Sequence, residues 1–191
     1  MCLLSRIVLS FFLIAILAMA DRPASAQSGV VLVVADHRDP SSIPSSSDIF
    51  KAAYDTIAAQ LKRRGMIVRG VGDIPSVRKM SGKIERNLGL AVEVARSSSA
   101  RISTVLGVKI FISMHRGKRA NGFYVWIDGE ARDVTFGKVT ATHEHRSRER
   151  HKVEKSCGRD CMLETAAEVV APTAAEFAKA MAEKLQKARK R

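Results

Sequence analysis

The dipeptide His-Arg ends two runs rich in β-branched residues, at His37-Arg38 and at His115-Arg116. In open α/β sheets, ligands collect outside the carboxyl ends of parallel strands. If the two runs are adjacent parallel strands, both histidines and both arginines meet at one edge, with Asp36 and Asp39 beside them. Arginines so placed would hold a phosphate, and the histidines a zinc ion. The same residues also read as ordinary solvated strand ends. A second set is His143-Glu144-His145. On a strand, positions two apart share a face, so His143 and His145 would point together, with His151 or Glu149 as a third ligand. Their ordinary reading is polar residues beyond the core. Third, Arg146-x-Arg148-x-Arg150, followed by Lys152 and Lys155, would line one edge of an extended segment as an anion-contacting stripe. Such charges equally protect an edge strand from aggregation.

Two cysteines, Cys157 and Cys161, stand close together in Ser-Cys-Gly-Arg-Asp-Cys. In an oxidising compartment such a pair forms a disulfide, here one that pins the turn entering the last helix. A thiol–disulfide redox site or a zinc site with nearby histidines are the rival uses. The last basic cluster is Lys184, Lys187, Arg189, Lys190 and Arg191, which would suit an acidic surface or simply the helix C-terminus.

The compartment follows from residues 1–26, which read as a secretory signal. Arg6 supplies the positive region and residues 7–19 the apolar run, and Ala24-Ser25-Ala26 offers small-x-small cleavage. The apolar run is too short to span a bilayer as a helix, although an uncleaved anchor is the alternative. Cys2 lies ahead of that run, where it cannot serve as a lipoprotein cysteine. No transmembrane span is expected once the signal is removed. The whole chain of 191 residues carries a formal charge of +13. Outside the cytoplasm such a charge favours an acidic envelope protein or an anionic envelope polymer or lipid. Nucleic acid is excluded by compartment, and Phe123, Tyr124 and Trp126 are too sparse for stacking bases. There is no Walker loop, GxSxG, HExxH or set of paired CxxC motifs. Nothing in the sequence calls for a cofactor.

The elements that must position these groups form one α/β domain over residues 27–191, ending in a basic tail from about residue 184. Val30-Val31-Leu32-Val33-Val34-Ala35 reads as a strand buried on both faces. Ser47 or Asp48 caps a helix whose apolar stripe is Phe50, Ala53, Tyr54, Ile57, Ala58 and Leu61, stopped at Gly65. Residues 66–68 are a second strand, completing a β-α-β unit. Residues 74–106 read as interrupted helix, with a break at Ser97-Ser98-Ser99 and a short helix from Ala100 to Gly107. A third strand is expected over 108–114. Residues 123–133 and 138–145 alternate as an antiparallel hairpin around Gly137. Helix returns near Cys161, and Pro172 opens the final helical stretch. The expected order is β-α-β-α-β-β-β-α, a three-layer-like mixed sheet of parallel β-α-β units plus an antiparallel hairpin.

With its signal, this order resembles the small α/β domain of periplasmic envelope proteins. These are the amino-terminal domain of the Tol–Pal propeller protein, the periplasmic part of the curli secretion channel, and outer-membrane activators of penicillin-binding proteins. The residues that carry the resemblance are 30–36, 50–68, 100–114 and the hairpin 129–141. It implies a non-enzymatic adaptor that acts by contact. The enzyme alternative is a zinc-dependent cell-wall amidase, whose strand-end histidine Phe111-Ile-Ser-Met-His115 resembles. His37 would be its first ligand and Asp48 the substitute for a missing Glu.

Overall fold

The computed structural model describes residues 29–117 and 120–190. Residues 1–28, with the expected signal and Cys2, and also Lys118, Arg119 and Arg191, lie outside the described residues.

Strand β1 (Val30–Ala35) is buried on both faces along most of its length, which is why it carries no polar alternation. Helix α1 (Asp48–Arg63) follows, its first turn capped by the Ser47 side chain accepting from the Phe50 amide. Gly65, at φ 79°, turns the chain out of α1. Strand β2 (Ile67–Gly70) then pairs parallel with β1. A short turn and three helical pieces lead back across the sheet: α2 (Pro75–Arg78), α3 (Ser81–Ile84) and α4 (Leu88–Ser97).

Strand β3 runs over Ile102–Arg116, pairing parallel with β1 and antiparallel with β4 (Asn121–Asp133). The short helix expected over 100–107 is therefore strand. Ile102, Ser103, Thr104 and Val105 are stiff or poor helix formers, and pairing on both sides overrides the apolar spacing. Gly107 sits inside this strand because a Cβ there would come within 2.9 Å of Leu88 on α4. Strand β5 (Val139–Arg146) follows a hairpin in which Gly137 has φ 70°. A sixth strand, β6 (His151–Val153), was not expected and pairs with the far end of β4.

The sheet order is β2-β1-β3-β4-β5, with β6 beside β5 on the same edge of β4. This is the expected mixed α/β sheet. Helix α5 (Arg159–Ala188) is one element, with Pro172 inside it rather than at its start. Pro172 is exposed, so the carbonyl it leaves unpaired has access to water. The basic tail expected from about residue 184 is helical as far as Ala188.

Helices α1 and α5 cover one face around Phe123, Phe177, Leu61 and Ile127. Pieces α2 to α4 cover the other face over β1 and the start of β3, around Leu32, Ile84 and Leu88, and leave Ile67 of β2 exposed. No helix among the described residues is long and apolar enough to cross a membrane.

Candidate functional site

The two His-Arg dipeptides do not meet. Ala35, the last residue of β1, is in register with Val108, and His115 stands seven residues farther along β3 opposite Gly122. At ~3.3 Å per residue that is roughly 23 Å of strand. The expectation of a shared edge fails because β3 outruns β1. His37 is also committed locally. Its Nδ1 lies 2.9 Å from the Ser42 hydroxyl, and its Nε2 accepts the Ser45 amide at 2.9 Å. Both ring nitrogens serve the loop after β1, so neither is free for a metal. Among the described residues, no group of three or more His, Cys, Asp and Glu is placed to hold one.

Arg38 turns inward instead. Its guanidinium pairs with buried Asp36 at 2.6 and 2.9 Å and reaches Glu130 at 3.1 Å. Lys109 approaches Asp36 at 3.7 Å and Asp128 at 3.3 Å, and Arg132 meets Glu130 at 2.6 Å. Burial alone would raise the Asp36 carboxyl, but the hydrogen bonds from Arg38 and the nearby Lys109 outweigh it and hold the group below its ordinary value. Glu130 is lowered in the same way, by Arg132 and Arg38 against its own burial. These charges knit β1, β3 and β4 together and are spent on one another.

His143 and His145 do share a face, with ring centroids 6.2 Å apart. His143 also stacks on Phe177 at 5.8 Å, so it packs against the core. Its protonation is disfavoured first by burial, then by Lys184 and His145. The arginine stripe is broken. Arg146 ends β5 and lies 4.0 Å over the Tyr124 ring, while residues 147–150 form a bend before β6. Ser147 holds that bend to the sheet, its amide donating to the Val125 carbonyl at 2.8 Å. In the tail, Lys184 donates to the Thr142 carbonyl at 2.6 Å and Arg189 to that of Gly29 at 3.2 Å.

His115 and Arg116 come together with Lys155 and Arg159. The β3–β4 hairpin carries them past the rest of the sheet, with Arg116 opposite Asn121. Beyond β6 the chain turns back beside that hairpin, tied by the Asn121 side-chain amide donating to the Lys155 carbonyl at 3.1 Å. The Cys157–Cys161 disulfide, with Cα atoms 5.4 Å apart, joins this turn to the first turn of α5. A cavity of about 490 Å³ opens between hairpin, turn and helix. His115, Arg116, Lys155 and Arg159 line it over a floor that includes Met114 and Met162, and no carboxylate lines it. The N-cap of α5 is Gly158, which gives no side-chain hydrogen bond to the helix. The positive end of a thirty-residue helix therefore faces the same cavity. Lys155 was expected in the arginine stripe rather than beside His115, and Arg159 was not singled out, although Cys157 and Cys161 between and beside them marked the place.

No known protein-family model matches the chain, and no curated protein does. Solved structures are similar to it. A DUF330 protein of Xanthomonas campestris is 9% identical over 88% of this chain and 93% of its own, with TM-score 0.50. A lipoprotein of Neisseria meningitidis is 14% identical over 78% and 99%, with TM-score 0.49. The PelC dodecamer of Paraburkholderia phytofirmans is 18% identical over 78% and 86%, with TM-score 0.43. At such identities the likeness is one of fold alone, and it is carried by the Xanthomonas campestris protein, whose TM-score reaches 0.50.

Proposed function

We propose that this chain is an exported, non-enzymatic adaptor of the bacterial cell envelope, and that the basic cavity at the β3–β4 hairpin tip receives an anionic group of its partner. The observation that carries the reading is the convergence of His115, Arg116, Lys155 and Arg159 with no lining carboxylate. Cations gathered from three separate elements hold a partner's phosphate or carboxylate through charge-assisted hydrogen bonds. The uncapped α5 terminus adds donors of the same sign of charge.

Export is supported by the leader read from residues 1–26 and by a disulfide of the kind that persists outside the cytoplasm. The resemblance to envelope adaptor domains supports action by contact. The partner is an envelope protein or an anionic envelope polymer or lipid. Capture of a partner from envelope extract by the mature protein, and its loss with Arg116→Glu/Lys155→Glu, is the expected result. Equal capture by the variant would place the contact on another surface.

A further inference from the structure

The strand-end rule that misplaced His37 and His115 leads to a different cavity. The carboxyl ends of parallel strands β1 and β2 open into a space of about 460 Å³. Ala35 and Gly70 mark the two strand ends, and Phe50 and Tyr54 of α1 supply aromatic walls. Gly70 is a close approach: a Cβ there would strike the Tyr54 hydroxyl.

The charge of this cavity opposes that of the protein. Three carboxylates line it, Asp55, Asp73 and Glu85, against one cation, Lys51. Lys51 is drawn to Asp48 at 3.0 Å, and among the described residues none of the three carboxylates is in an ion pair. Each carboxylate comes from a different segment: α1, the turn after β2, and the residue following α3. Asp73 is held in place by accepting the Gly70 amide at 2.7 Å. Burial, then Asp73 and Asp55, raise the Tyr54 phenol above its ordinary value, so it stays a hydrogen-bond donor with a neutral ring. Aromatic faces beside unpaired carboxylates form the environment that a cation on an apolar body prefers.

We infer that this cavity is a second ligand site, separate from the basic one, and that it takes a small organic ammonium ion with an apolar or aromatic body. The ring stacks against Phe50 and Tyr54 while the ammonium is shared by the carboxylates. A chain with 32 Lys and Arg against 19 Asp and Glu thus presents an anionic cavity at the strand ends of its sheet.

The test uses the full mature protein and three probes of one shape: benzylamine, benzyl alcohol and benzoate. Amide chemical shifts are followed by NMR at physiological salt. Benzylamine is expected to move amides of residues 54–55, 70–73 and 85. Benzyl alcohol should bind about tenfold or more weakly, the loss expected for a charge-assisted contact, and benzoate not at all. Asp55→Asn/Asp73→Asn keeps an oxygen to accept the Gly70 amide and should lower benzylamine affinity by about tenfold. Glu85→Gln, tested alone, gives the same direction if the double variant folds poorly. Equal binding of amine and alcohol, or shifts that avoid these residues, would overturn the inference. Neither outcome touches the basic cavity, which shares no lining residue with this one.

Discussion

The ring of Phe177 fills the space that a side chain at Gly129 would need, closing α5 onto the middle of β4. Phe177 is fully buried in a close-packed core, which leaves little room for the ring to give way. Gly129→Ala should therefore destabilise the fold by about 1–3 kcal/mol, the usual range for overpacking. Urea unfolding of the variant checks this. A change within error would mean that α5 shifts freely along the sheet.

Asp36 links β1 to β3 and β4 through Arg38 and Lys109. Asp36→Ala leaves the partly exposed Arg38 with Glu130 alone and should cost about 2 kcal/mol, the range for losing hydrogen bonds to a charged group. The carboxyl is lowered in the folded state, so its stabilising effect is complete above the ordinary value of 3.8. That effect is lost as pH falls through the lower folded value. Wild type should lose stability steeply in that acid range and the variant less so, which unfolding curves between neutral and acid pH will show.

His143 carries the opposite chemistry with the same sign of pH dependence. Its folded value lies below 6.5 because burial, Lys184 and His145 oppose the cation. The unfolded chain takes up that proton first, so stability falls as pH drops below 6.5 towards the folded value. In an NMR titration the His143 ring should titrate below 6.5, and Lys184→Gln should move it back upward. No movement in the variant would show that burial alone sets it.

The Cys157–Cys161 pair closes a very short loop, so replacing both by Ser should cost only about 2 kcal/mol. The larger effect should fall on the basic cavity, whose turn and helix the disulfide joins. In the unreduced protein neither cysteine should react with a thiol probe. Rapid labelling would restore the redox reading of the pair.

The layers were legible in the chain where burial left a one-sided or continuous pattern. The apolar β1 run, the Ser47 cap, the α1 stripe and the Gly137 hairpin all stand where the residues place them. Residues 102–107 misled, because an apolar spacing compatible with helix is overridden by pairing on both sides of β3. Pro172 misled because an exposed helix face tolerates a missing amide. For the site, residue types were readable but register was not. His115 was rightly placed near a strand end, yet the length by which β3 exceeds β1 is set by its pairing with β4. Lys155 and Arg159 join it only through the disulfide-bound turn, a contact that no local periodicity encodes. Tyr54, Asp73 and Glu85 came together in the same unheralded way, from three segments whose loops fold over the β1 and β2 ends.

The most direct test of the basic cavity is an NMR titration of the mature protein with inorganic phosphate, the smallest anion that could occupy it. Amides of residues 114–117 and 155–162 should shift together and saturate. The shifts should vanish in Arg116→Glu/Lys155→Glu/Arg159→Glu while the rest of the spectrum is retained. Phosphate shifts scattered over the surface, or undiminished in the triple variant, would contradict an anion site at the hairpin tip.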